Sequence, residues 1–260
     1  MSDTNVVLVL MAHPDDAEIL CGGTLVRLAV LGWQIHIATA ANGDCGSVEL
    51  GRDEIAKVRH LEAMEAAAKV GGIYHCLGLS DVQVAYSPEN ICKTIDLFRQ
   101  VNPTLVITHP RYDYMLDHEQ THLLARAASF AFAIPNASLL PLAQSATVPY
   151  LYYADPLEGH DPYTGQMVEP TTLIDISDVM PAKTEMLACH ASQREWLRKH
   201  HGMDEYILAM QRHCAMRGQV CNSDFAEAFV QHHGHAYPQD DLLGRLLGTS
   251  NLTTRETVND

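Results

Sequence analysis

The stretch MAHPDDAEIL, which begins at Met11, puts a histidine, two adjacent aspartates and a glutamate directly after the apolar run NVVLVL. His13 and Asp16 stand three positions apart, a spacing at which an imidazole and a carboxylate can converge on one cation where a strand turns into a helix. Two ligands make half a site, because a catalytic zinc centre takes three protein ligands and keeps a position for water. His118, in HPRYDYMLDHEQTH after a later apolar run, is expected to be the third. Asp15 is then free for proton transfer, since a carboxylate beside a ligand can take a proton from metal-bound water. Zn2+ is the expected cofactor, with another divalent metal as the alternative. A plainer reading makes Asp15 or Asp16 a helix cap with Glu18 as favourable first-turn charge. That reading leaves His13 and the second His-Asp cluster unexplained.

These residues need elements to hold them. NVVLVLMA, WQIHIATA, GIYHCL and TLVITH read as strands, and each is followed by a helix-like stretch. The first helix is read from Ile19, Leu20, Leu25, Leu28, Ala29 and Leu31, which share one face, with Gly32 as its stop. Four strand-helix units in succession predict an α/β fold: a Rossmann-like, doubly wound, mostly parallel sheet with helices on both faces. In such sheets ligands bind outside the carboxyl ends of the strands, where the His- and Asp-bearing loops fall. PYLYYAD and TTLIDIS read as two further strands, and a helix-rich tail is expected from near Val179. Residues 1–248 are read as one domain and 249–260 as a frayed polar tail.

The formal charge of -15 and the lack of clustered Lys and Arg exclude phosphate-backbone binding, so no nucleic-acid partner is expected. The first apolar run is short and has no basic residue ahead of it. Neither a signal peptide nor a membrane span is expected, and the protein is read as cytoplasmic. The seven cysteines are scattered without a CxxC spacing, which fits reduced thiols, most of them small buried side chains.

HPDDAE after a first strand, GGT in the following helix and a later DH pair resemble the LmbE-like or PIG-L family of zinc-dependent de-N-acetylases. The resemblance runs from Val6 to Gln193 of the CHASQ stretch. It implies an α/β deacetylase of a small acetamide such as an N-acetylglucosamine compound, with His13, Asp16 and His118 on the metal and Asp15 as base. It also implies that Arg59 and Glu62 of VRHLEA line the substrate pocket, where the alternative is an ordinary exposed helix face. Soluble members of that family are often oligomeric, so a homo-oligomer acting on a small molecule is the implied setting. Many members carry HPDH in the fourth loop, with its first histidine assisting the tetrahedral intermediate. This chain reads MLDH, and Met115 can donate neither a proton nor a charged hydrogen bond.

Candidates to replace that histidine are His160 in EGHDPY, placed first, then His109 and His122. Each has a plainer reading: a turn residue, a buried imidazole and a helix-surface residue, respectively. Glu49 in NGDCGSVE is a further acid-base candidate, and Ser47 a donor to substrate. No GK[ST] follows, so that loop is not a phosphate cradle. Two reactions remain open. One is hydrolysis of an acetamide, with His160 protonating the leaving amine. The other is hydration of an unsaturated oxo-dicarboxylic acid of the 4-oxalomesaconate type, with Glu49 and His160 as acid and base. An anionic substrate would draw on Arg52, Arg59 and Arg111. His200, His201, His232, His233 and His235 are read as packing or surface residues.

Overall fold

A computed structural model of the chain describes residues 5–194 and 205–248. The order of elements is β1 (Val6–Met11), α1 (Asp16–Val30), β2 (Gln34–Ala41), α2 (Arg52–Ala68), β3 (Ile73–Leu79), α3 (Pro88–Val101), β4 (Leu105–Thr108) and α4 (Leu116–Ala131). There follow β5 (Tyr150–Ala154), β6 (Thr172–Asp175), α5 (Met180–Ala188), α6 (Glu205–Val220), β7 (Ala226–Gln231) and α7 (Leu242–Leu247). One seven-stranded sheet runs β3-β2-β1-β4-β5-β7-β6. Its first five strands are parallel, and β7 lies antiparallel to both β5 and β6.

Every residue of β1 is buried, as expected for a central parallel strand covered on both faces. Alternation divides them: Val7, Val9 and Met11 pack with Leu25 of α1, Met186 of α5 and Met210 of α6. Val6, Leu8 and Leu10 pack with Phe98 of α3 and Ala125 of α4 on the other face. The chain leaves β1 towards β2 and β3, then returns to lay β4 on its other side. The carboxyl ends of β1 and β4 are thus the switch point at which open α/β sheets form their crevice. Two bonds tie those ends together: Thr108 Oγ1 donates to the Leu10 carbonyl at 2.7 Å, and the Ala12 amide donates to His109 Nε2 at 2.9 Å.

The helix-rich tail holds one strand that was not expected. β7 sits between β5 and β6, within that region. Its sequence AEAFVQ carries Glu227, a charge on a central strand that breaks the apolar signal, yet Glu227 is 1% exposed. The carboxylate accepts from the amides of Gly23 and Thr24 within α1 at 2.8 and 2.7 Å and pairs with the Lys183 ammonium. Lys183 also donates to the Ile19 carbonyl at 2.8 Å. The GGT of α1 is fixed by the same packing: a Cβ on Gly23 would stand 2.8 Å from Ile176 Cβ.

The cysteine reading is also corrected. All seven thiols are free, but only Cys21, Cys214 and Cys221 are buried, since Cys45 and Cys92 sit on exposed loop and helix faces and Cys76 and Cys189 are half-buried. The expected frayed tail at 249–260, and His200 and His201, lie outside the described residues. Among the described residues no helix is long and apolar enough to cross a membrane.

Candidate functional site

β1 ends at Met11 and α1 begins at Asp16, so His13, Asp15 and Asp16 occupy one tight turn. Asp15 has φ 112, a left-handed backbone that L-residues rarely adopt, and strain of this kind gathers at functional sites. It sits at the N-cap position but makes no side-chain cap bond, so the capping account of the motif fails for it. Its carboxylate instead accepts from the Tyr206 hydroxyl at 2.7 Å and from Arg59 at 3.4 Å. Burial raises the Asp15 carboxyl above its usual range, against the opposing charge of Arg59.

Asp16 turns the other way. Its Oδ2 accepts from the His13 amide at 2.8 Å and lies 3.5 Å from His13 Nδ1 and 3.6 Å from His118 Nε2. Ligand atoms of His13, Asp16 and His118 all fall within 4.8 Å of one another. Each histidine is oriented by a second carboxylate. Asp117 takes His13 Nε2 at 3.1 Å, and Asp113 takes His118 Nδ1 at 2.9 Å. This is the outer arrangement that fixes tautomer and ring direction in metal-binding histidines. Asp117 is itself held by the amides of Val82 and Val84, with Val82 at φ 59. His118 Nε2 is left buried with no hydrogen-bond partner.

The electrostatics ask for a cation. Burial alone would raise Asp16, but the charge of His118 and the close imidazoles of His109 and His13 hold it well below the usual carboxylate range. Burial alone would lower His13, but its bonds to Asp117 and Asp16 push it up to about 10. An orphaned imidazole nitrogen, a second imidazole and an ionised carboxylate form an N2O donor set that fits a catalytic divalent cation, zinc included.

A cavity of about 740 Å³ opens over this cluster, lined among others by Asp15, Arg59, Asp81, Tyr114, Met115, Gln193 and Tyr206. Arg59 is 4% exposed, so it is not part of an ordinary exposed helix face. It donates to the Pro14 carbonyl at 2.7 Å and lies 3.9 Å from Asp81. Glu62 does not line the cavity; it accepts from the amide and hydroxyl of Ser192 at 2.8 and 2.7 Å, which docks the CHASQ stretch. Gln193 then reaches the Gly46 carbonyl at 3.0 Å.

Other expected residues stand apart from the cavity. His109 is fully buried behind His118, its ring stacked at 4.0 Å, and does not line the space. His122, read as a helix-surface residue, is 2% exposed and donates from Nδ1 to the His109 carbonyl at 3.0 Å. The helix turns that face inward because α4 packs on α3 and the sheet. His160 is exposed, with Nδ1 donating to the Glu158 carbonyl at 2.7 Å. It lines a smaller pocket of about 310 Å³ whose Tyr114 and Leu157 also line the main cavity. Ser47 accepts from the amides of Glu49 and Leu50, closing its own turn, and Glu49 is exposed. Arg111 lies 4.9 Å over the Tyr112 ring, and Arg52 contacts Asp44 and Cys45; neither lines the cavity.

Asp113, Tyr114 and Tyr206 were not singled out by sequence reasoning. The first two lie within HPRYDYMLDHEQTH, where a further acid and an aromatic beside the DH pair are a usable signal. Tyr206 carries none, because it comes from α6 and meets Asp15 across 191 positions.

Fold and site together define a doubly wound α/β protein with a His-Asp-His cluster at its switch point. Residues 8–129 match the family described as PIG-L, GlcNAc-PI de-N-acetylase. The chain is 28% identical over 206 residues to a diacetylchitobiose deacetylase of Thermococcus kodakarensis, spanning 74% of this chain and 71% of that one. It is 26% identical over 196 residues to a 4-oxalmesaconate hydratase of Pseudomonas putida, spanning 72% and 73%. The solved structure of an N,N'-diacetylchitobiose deacetylase from Pyrococcus horikoshii superposes with a TM-score of 0.75 over 92% of this chain and 89% of that one, at 23% identity. That last likeness speaks for the fold.

Proposed function

We propose that the protein is a zinc-dependent hydrolase that removes an acetyl group from a small N-acetylated amine, with His13, Asp16 and His118 holding the metal. The observation that carries this is the convergence of those three side chains beside a separate, strained carboxylate, Asp15. When bound, zinc would supply Lewis acidity, lowering the pKa of water and polarising the amide carbonyl. The chain's own groups do the rest. Asp15, aimed by Tyr206 and Arg59, takes a proton from the attacking water. The carboxyl so formed returns that proton to the leaving amine, giving one carboxylic acid and one amine. His160 lies outside the cavity, so Asp15 and the phenol of Tyr114 are the proton-bearing groups nearer to the amine.

The relatives carry both chemistries, since deacetylases and a hydratase share this similarity. Hydrolysis is favoured because the cavity offers little to a dicarboxylate. Among the described residues lining it, Arg59 is the only Lys or Arg, and its guanidinium is engaged by the Pro14 and Gly43 carbonyls and by Asp15. Residues 1–248 are proposed to act as one domain, working on a small molecule in the cytoplasm.

The test is to incubate the zinc-loaded chain with a panel of N-acetylated amines and, separately, with unsaturated oxo-dicarboxylic acids. Amine release is expected from the first set. Loss of conjugated absorbance with the second set and no amine from the first would replace hydrolysis by hydration. The metal assignment has its own check. Asp113→Ala is expected to weaken zinc binding about 10–100-fold, read by competition with a chromogenic chelator, because His118 loses the carboxylate that aims it. Unchanged affinity would remove His118 from the ligand set.

A further inference from the structure

A second hollow, of about 700 Å³, shares no lining residue with the cavity over the His-Asp-His cluster, and its volume is in the range of small-ligand sites. Arg126 and Phe130 on the exposed face of α4 line it, together with Tyr86 and the HHGHAY loop that follows β7. That loop is built in place. The His232 amide donates to the Leu151 carbonyl at 2.8 Å, and the Tyr237 hydroxyl donates to the Arg126 carbonyl at 3.2 Å. The side-chain amide of Gln239 donates to the Gly234 and Tyr237 carbonyls at 3.1 and 2.7 Å. The His232 ring lies so close over Gly234 that a Cβ there would stand 2.4 Å from Nε2, and its Nδ1 shares a hydrogen bond of 2.8 Å with the Tyr153 hydroxyl.

The charge in this hollow runs against that of the chain, in which 32 acids face 17 Lys and Arg. The main cavity carries Asp15, Asp16 and Asp81, and the His160 pocket carries Glu158, but no carboxylate lines this one. The Arg126 guanidinium makes no hydrogen bond or ion pair with a described residue. Burial, then the charges of Arg126 and His233, hold the His232 imidazole below its ordinary pKa, with no carboxylate to oppose them. Beside this uncompensated cation, Phe130 and Tyr86 are each 49% exposed.

We propose that the hollow binds a small aromatic anion, its carboxylate or phosphate taken by Arg126 and its ring laid against Phe130, Tyr86 and Tyr237. A planar guanidinium meets either head group with two parallel hydrogen bonds. Ring faces gain by the removal of their surface from water and by aromatic contact. A cation would be repelled by Arg126, a neutral ring would leave the guanidinium without a counter-charge, and a bare inorganic anion would leave the rings uncovered. The site uses none of the metal cluster, so it stands or falls apart from the hydrolytic reading.

The experiment titrates the zinc-loaded chain with benzoate and with phenyl phosphate, and in parallel with acetate and benzyl alcohol, which keep the charge or the ring alone. Binding is read from the broadening of each probe's own NMR signals. The two aromatic anions are expected to bind about 10-fold tighter than either partial probe. Arg126→Gln is expected to weaken them about 5–10-fold and to leave benzyl alcohol unchanged. Phe130→Ala is expected to weaken every ring-bearing probe several-fold and to leave acetate unchanged. Both side chains are exposed, so fold and zinc content stay those of the unaltered chain. Carboxylates and phosphates also ligate zinc, so the titration is repeated on His118→Ala, where binding of the aromatic anions is expected to persist. Binding lost in His118→Ala but kept in Arg126→Gln would place the anion at the metal cluster and overturn the proposal. Acetate or benzyl alcohol binding as tightly as the aromatic anions, or no broadening of any probe, also overturns it. A preference between benzoate and phenyl phosphate upholds the site and names its head group.

Discussion

Replacing Asp15 by Asn is expected to lower kcat for amine release about 10²–10⁴-fold, the usual contribution of a positioned proton-transfer group, while zinc content stays at that of the unaltered chain. The substitution keeps the shape and the acceptor oxygen that the Tyr206 hydroxyl uses. It also suits the backbone, because Asn is among the few side chains that tolerate positive φ, and Asp15 sits at φ 112. What is removed is the ability to take a proton. Burial raises this carboxyl while Arg59 opposes the rise, so the group is held in the protein as a base whose affinity for a proton is tuned from both sides. Zinc content and kcat measured on the same preparation check the result. Full turnover with zinc bound would make Asp15 only the strained head of α1.

Lys183→Met is expected to cost about 3–5 kcal/mol of folding stability, the range for breaking a buried ion pair by removing one partner. For a domain of this size that is a fall in Tm of about 6–20 °C. Lys183 is fully buried and Glu227 nearly so; with the ammonium gone, the carboxylate keeps the Gly23 and Thr24 amides but loses its counter-charge. Methionine fills much the same volume, so the loss is electrostatic. Chemical denaturation of Lys183→Met and of the double variant Lys183→Met, Glu227→Gln separates the causes, since the second change removes the stranded charge and is expected to recover part of the stability. A single variant as stable as the unaltered chain would mean that the pair contributes nothing to holding α1 against β7.

The hydrolytic reading and the stability of this pair are linked through α1. The helix that presents Asp15 and Asp16 at its first turn is gripped in its middle by Glu227 and at Ile19 by Lys183. A helix that carries two carboxylates of a site must be fixed in rotation and position, because ligand geometry tolerates little displacement.

Much of this was legible from residue order. Strand and helix periodicity located the four strand-helix units, since burial on both faces leaves a continuous apolar run and an amphipathic helix leaves its own repeat. With that topology, the rule for the carboxyl ends of parallel strands placed HPDD and the DH pair in one crevice. β7 escaped because a central charged residue interrupts its pattern, and that charge is neutralised only by Lys183, which lies 44 positions away. His122 escaped because its helix face looks polar until α4 is packed against α3 and the sheet.

The sequence by itself determined the alternation of strands and helices and the residue types gathered at the ends of β1 and β4, because both depend on local pattern and short spacing. Only the tertiary structure decided which of those residues meet. It brought Tyr206 and Arg59 to Asp15, gave each ring of the His pair its own carboxylate, put His160 and Glu49 outside the cavity, and left Met115 among the residues that line it. Those outcomes depend on contacts between residues far apart in the chain, which no local spacing encodes.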